Sequence, residues 1–233
     1  MLKRLIAACA LAVLALTSSV ALAQDKADAA PEKPKVYPPV DFNMKDDPEN
    51  ILLLDLSNGK RVAIRLMPSW APNAVERIKT LTRQGFYDGV IFHRVIDGFM
   101  AQTGDPTGTG RGGSKLPDLK AEFNPMPHLR GSVSMARASD PDSANSQFFI
   151  MFYPRFSLDK KYTNFGRVIS GMDGVDAIHR GEPPADPTYI VQASIAADNK
   201  PQKFAPPPKP ANDDGPVTAD MLNAPQKDAS AQQ

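Results

Sequence analysis

The chain is 233 residues long and carries 27 Lys and Arg against 26 Asp and Glu, a formal net charge of +1 at pH 7. A balance so near neutral gives no electrostatic ground for nucleic acid or an anionic membrane as partner. Cys9 is the one cysteine, so the chain has no thiol pair for a disulfide and no cysteine cluster for a metal.

Residues 1–23 read as a secretory signal. Lys3 and Arg4 form a charged start, Leu5 to Leu16 an apolar run, and Ala21-Leu22-Ala23 a small-x-small cleavage site before Gln24. The apolar run is shorter than the about 20 residues of a membrane span, so no stable membrane insertion is expected. Ile6-Ala7-Ala8-Cys9 resembles an acylation site, but almost no apolar stretch precedes the cysteine and acylation is not expected. Cleavage after Ala23 removes Cys9, Lys3 and Arg4. The mature chain then holds 25 basic against 26 acidic residues and no thiol.

Composition divides the rest. Residues 24–47 are proline-rich and poor in apolar side chains, as are residues 197–233, with Pro201, Pro206, Pro207, Pro208, Pro210, Pro216 and Pro225. Such segments bury too little apolar area to offset the entropy of ordering and read as a disordered linker and tail. The Pro-Pro-Pro-Lys-Pro run in the tail reads as a solvated tether. Residues 48–196, about 150 in all, have the size of one domain.

Within the domain, eight strand-like runs occur: Ile51–Leu56, Arg61–Met67, Ile91–Ile96, Phe99–Thr103, Ser132–Ala136, Gln147–Phe152, Phe165–Ser170 and Thr188–Ala196. Val62, Ile64 and Leu66 alternate cleanly with Arg61, Ala63 and Arg65. Asn58-Gly59 joins the first two runs as a hairpin. A helix is predicted over Pro72–Gln84, with Pro72 in its first turn, Ala74, Ile78 and Leu81 as its stripe and Gly85 after it. A second is predicted over Met172–Arg180, with Met172, Val175 and Ile178 on one side. Many short strands and two helices suit a mainly β fold, either a closed antiparallel barrel or a sandwich.

The most informative run is Phe92–Asp105, FHRVIDGFMAQTGD. Asp97-Gly98 reads as a two-residue hairpin turn that folds Arg94 back beside the strand holding Met100 and Gln102. Residues two apart on a strand share a face. The result is an apolar surface with one fixed cation and one amide beside it, and no nucleophile.

This run resembles the active-site segment of the cyclophilin-type peptidyl-prolyl cis-trans isomerases. Two more segments match that family in order: Ser134–Ile150, SMARASDPDSANSQFFI, and Leu158–Ile178, LDKKYTNFGRVISGMDGVDAI. The resemblance spans about Glu49 to Ala196 and selects the family's eight-stranded antiparallel barrel capped by two helices. It implies a non-covalent isomerase of X-Pro bonds with no cofactor and no metal. Its partners would be proline-containing unfolded or partly folded polypeptides, and the protein is expected to be a monomer. With the signal, the resemblance to bacterial members implies the periplasm of a Gram-negative bacterium, with secretion as the alternative.

The chemistry asked of such a site is modest. Rotation about X-Pro meets a barrier of about 20 kcal/mol because amide resonance is lost midway. A dry pocket for the proline ring and a donor to the deconjugated nitrogen suffice, and arginine keeps its proton at any physiological pH. By resemblance, Arg94 is the catalytic arginine, and Gln102 holds the substrate backbone and helps position it. Phe99, Met100, Phe149 and Leu158 form the proline pocket. Ala136, the backbone of Arg137 and the side chain of Gln147 line the groove for the residues before proline. His93 and Tyr162 stand on the rim. Taken singly, the apolar members would read as core and the polar ones as surface; three ordered motifs favour the site.

The sequence departs from the family at three places. Asp97 stands where most members have proline, and Arg137 where eukaryotic members have asparagine. Ser157 occupies the place of the tryptophan of cyclosporin-sensitive members, which implies weak cyclosporin binding unless the neighbouring Phe156 substitutes. Other signals are weaker. The loop Gly108–Gly113 lacks the Lys-Ser/Thr of a phosphate loop and reads as a flexible connection. His93, His128 and His179 have no zinc-ligand spacing. No G-x-S-x-G elbow supports a Ser-His-Asp hydrolase, and Trp70 reads as a packing residue. The competing reading from another class is a proline-peptide binding module or holdase that needs no turnover; retention of Arg94 and Gln102 favours the enzyme.

Overall fold

The computed structural model describes residues 35–206. The expected signal segment, residues 24–34 of the expected linker and residues 207–233 of the tail lie outside the described residues. Residues 35–37 have no regular secondary structure, and they group with the N-terminal unit rather than with the folded unit that starts at Pro38.

The folded unit contains β1 (Ile51–Leu56), β2 (Arg61–Leu66), α1 (Pro72–Arg83), β3 (Arg94–Ile96), β4 (Met100–Thr103), β5 (Ser132–Met135), β6 (Phe148–Met151), β7 (Asn164–Ser170), α2 (Met172–Asp176) and β8 (Ile190–Ile195). The strands form one eight-stranded sheet in the order β3-β4-β6-β5-β7-β2-β1-β8, with every ladder antiparallel. The residues before the two end strands meet: Ile91 bridges Tyr189, and the Phe92 amide donates to the Thr188 carbonyl at 2.9 Å. These contacts curl the sheet into the expected barrel and cover edges that would otherwise be open.

Two hairpins set the local geometry. Asn58-Gly59 turns β1 into β2 with Gly59 at φ 80, a conformation that costs a side chain dearly and glycine little. The second turn is one residue longer than the sequence suggests. Ile96 pairs with Met100, so Asp97, Gly98 and Phe99 all lie in the loop. The helix α1 lacks a local cap; the distant Glu122 carboxylate instead accepts from the Asn73 and Ala74 amides at 3.0 and 2.9 Å, satisfying donors left open at a helix start. The second helix stops at Asp176 rather than Arg180. Gly174 inside it weakens propagation, yet Ile178 still reaches the core.

Alternation decides what lies inside. Ala101, Phe148, Ile150, Val133, Leu52, Leu54, Val62 and Ile64 face the barrel interior, with Ile78 of α1 and Val175 of α2 added to the same core. The opposite face of β4 and β6 carries Met100, Phe149 and Met151, a separate apolar cluster. The outer face of β1 and β2 carries a third, Ile51, Leu53 and Ala63.

The flanks of the domain are more ordered than their composition suggests. Arg65, on the outer face of β2 and only 3% exposed, donates to the backbone carbonyls of Asp41, Asn43, Asp46 and Asp47. The Trp70 indole donates to the Pro38 carbonyl, so Trp70 anchors the same strap. At the other end, Gln192 donates to the Pro201 carbonyl and the Lys203 amide to Asp55. Segments poor in apolar residues are held here by hydrogen bonds, those of Arg65 and Asp55 to charged groups and those of Trp70 and Gln192 to neutral ones.

Candidate active site

Four strands align the site. Across β3, β4, β6 and β5, Arg94 pairs with Gln102, Gln102 with Phe149, and Phe149 with Ser134. Directly opposed residues share a face, so a cation, an amide and an aromatic ring stand in one row on the outer surface of the barrel. Met100 shares the face with Gln102, as the alternation predicts. Around Met100, Ala136, Phe149 and Met151 pack Ile96, Phe99, Leu158 and Tyr162. The Phe149 ring meets Tyr162 edge-on, with centroids 5.7 Å apart. The four expected pocket residues, Phe99, Met100, Phe149 and Leu158, are therefore together, and Tyr162 borders them.

The polar side is a chain of donors and acceptors. Arg94 Nη1 donates to Gln102 Oε1 at a long 3.5 Å. Gln102 Nε2 donates to Gln147 Oε1 at 2.8 Å. Gln147 Nε2 donates to the carbonyls of Gly112 and Gly110 at 2.8 and 3.1 Å. Each amide thus fixes the next. Beyond Gln102 and Gln147 opens a cavity of about 550 Å3 whose wall includes Gly112, Ala136, Arg137 and Asn145. The Arg137 guanidinium lies over the Tyr162 ring, 4.7 Å from its centroid, and donates to the Lys161 carbonyl. That stacking ties the side chain down and leaves its backbone along the groove.

The glycine-rich loop is more organised than a flexible connection. Buried Asp105 accepts from the Thr107 amide and hydroxyl and from the Gly112 amide at 2.7, 2.8 and 3.0 Å. Burial alone would push this carboxyl up; the hydrogen bonds from Thr107, Gly112 and Gly110 outweigh it and hold its pKa at about 2. The loop roofs His93, which is 5% exposed, with a Cβ at Gly110 reaching to 3.5 Å of its ring. His93 is therefore buried beneath the loop rather than standing on an open rim. Burial lowers its pKa, which keeps it neutral.

Behind the pocket lies a relay. His128 Nδ1 stands 2.8 Å from Asp159 Oδ1, and its Nε2 3.0 Å from Ser134 Oγ. His128 also stacks on Phe149 at 6.3 Å. The arrangement is a Ser-His-Asp triad in composition, but Ser134 and His128 are both fully buried, so no substrate carbonyl reaches the hydroxyl. Ser157 is exposed, and Phe156 is 64% exposed and outside the pocket cluster.

One neighbour of Arg94 carried no signal in the sequence. Glu182 Oε2 accepts from Arg94 Nε at 2.7 Å. Among the described residues no group of three or more His, Cys, Asp or Glu side chains is placed to hold a metal ion.

Comparison with known proteins agrees with this geometry. The family model described as cyclophilin type peptidyl-prolyl cis-trans isomerase matches residues 52–195. A probable peptidyl-prolyl cis-trans isomerase of Brucella suis biovar 1 is 49% identical over 170 residues, covering 66% of this chain and 86% of the relative. The isomerase ppi1 of Schizosaccharomyces pombe is 42% identical over 149 residues, covering 60% and 95%. Among solved structures, the cyclophilin AquaCyp293 from Hirschia baltica superposes with a TM-score of 0.61 at 32% identity, covering 66% of this chain and 77% of that one. A cyclophilin-type isomerase of Cryptosporidium parvum, crystallised in the presence of the dipeptide Ala-Pro, gives 0.58 at 32% identity, covering 62% and 98%. The chain belongs to the cyclophilin-type peptidyl-prolyl cis-trans isomerases.

Proposed function

We propose that this isomerase accelerates X-Pro isomerisation in exported polypeptides, with Arg94 stabilising the twisted amide. The observation that carries the reading is the row Arg94–Gln102–Phe149. It sets a permanent donor beside an apolar pocket built on Met100 and Phe149. The proline ring sits against Phe149, Met100, Phe99 and Leu158. Gln102 and Gln147 hold the preceding peptide along the groove by Ala136 and Arg137. As the amide twists, its nitrogen regains a lone pair and accepts from the Arg94 guanidinium. That bond is absent from either planar ground state, so it lowers the barrier instead of merely tightening binding.

Export rests on the charged start, apolar run and Ala21-Leu22-Ala23 site of residues 1–23, and the compartment proposed is the periplasm. Intact mass of the protein from its native cell tests this: a chain beginning at Gln24 supports it, and a chain retaining Met1 or acylated at Cys9 contradicts it. For the chemistry, a protease-coupled isomerisation assay on the full chain with an X-Pro tetrapeptide should show turnover proportional to enzyme. Peptide binding without turnover would instead favour a binding module or holdase.

A further inference from the structure

The chain that closes the barrel beside β3 brings a carboxylate to the active-site arginine. Val95 and Gly181 exchange backbone hydrogen bonds, Val95 N to Gly181 O at 2.7 Å and Gly181 N to Val95 O at 2.9 Å. In an antiparallel pair this sets the next residue, Glu182, opposite Arg94. The turn that carries Glu182 depends on glycine: Gly181 has φ +145, and a Cβ there would lie 2.6 Å from Pro184 Cα. Pro183 and Pro184 stiffen the turn that follows.

Arg94 therefore stands between two partners in one row. Glu182 takes Nε at 2.7 Å and Gln102 takes Nη1 at 3.5 Å, which leaves Nη2 without a partner from either. The ion pair is half exposed, with side-chain exposures of 41% for Arg94 and 53% for Glu182. A pair so solvated adds little to stability. What it does is restrict a long, rotamer-rich side chain to one direction.

We infer that Glu182 is a positioning residue: it holds the Arg94 fork so that its outer nitrogens face the proline amide. The inference rests on the proposed role of Arg94.

A double-mutant cycle on the full chain tests it. Glu182→Ala should lower kcat about fivefold, with KM changed less than about twofold and melting temperature unchanged. Glu182→Gln, whose amide oxygen still accepts from Nε, should recover most of the rate. In an Arg94→Ala background, Glu182→Ala should have no further effect. An unchanged or raised kcat in Glu182→Ala, or an equal loss with and without Arg94, would overturn the inference. If Arg94→Ala is slow while Glu182→Ala is unaffected, this inference alone falls; wild-type turnover in Arg94→Ala would remove the reading beneath it as well.

Discussion

Arg65→Ala should destabilise the domain without touching its chemistry. The guanidinium is 3% exposed and makes four hydrogen bonds of 2.7 to 3.1 Å to the carbonyls of Asp41, Asn43, Asp46 and Asp47. Bonds from a charged donor are worth about 1.5–3 kcal/mol each in isolation. They do not add here, because residues 41–47 are exposed and their carbonyls regain water when the arginine goes. The 3.8 Å contact to half-exposed Asp41 contributes little. A net loss of about 3 kcal/mol is expected, which for a domain of this size lowers the melting temperature by about 6–12 °C. Thermal unfolding followed by circular dichroism measures it, and an isomerase assay at 25 °C should give the wild-type rate. Trimming the chain to residues 47–196 removes three of the four acceptors and should shift the melting temperature in the same direction. A shift under about 2 °C in both variants would refute the account of the strap.

Acid should weaken the fold through its buried histidines. Burial holds the pKa of His128 and of His93 below the ordinary histidine value, so between the two values the unfolded chain binds protons that the folded chain does not. Their stabilisation is fully present above about pH 6.5 and is lost as pH falls, by up to about 1.4 kcal/mol per unit per group; urea unfolding at pH 7.5 and 5.5 should show it, and His128→Gln should flatten it. Cyclosporin binding should be weak, because Ser157 is exposed and Phe156, 64% exposed, is not packed into the pocket cluster. Titration should find Ser157→Trp tighter by at least about tenfold; equal affinities would show that this position does not discriminate.

Much of the architecture was legible because period-two alternation survives in β2 and β4. The inward Val62, Ile64 and Leu66 and the outward Met100 and Gln102 follow from it. In β6 the run Phe148–Met151 is apolar on both faces, since one lines the barrel and the other the pocket. Only the motif resemblance assigned Phe149 to the site. Arg65 reads as an outward polar residue, and it is outward; what covers it is a segment whose composition gives no sign of docking. Glu182 lies 88 residues from Arg94 in a Gly-Glu-Pro-Pro turn without periodicity, so barrel closure alone brings them together. The His128–Asp159 contact is likewise a product of the fold.

The central claim is that Arg94 acts on the twisted amide rather than on the bound peptide. Its most direct test measures two quantities on one variant, the isomerisation rate and the dissociation constant of an X-Pro peptide, for Arg94→Ala against wild type. The account predicts a rate lower by about 10²-fold, equivalent to about 2.7 kcal/mol, with peptide affinity changed by no more than about threefold. A rate and an affinity that fall together, or a rate that does not fall, would contradict it.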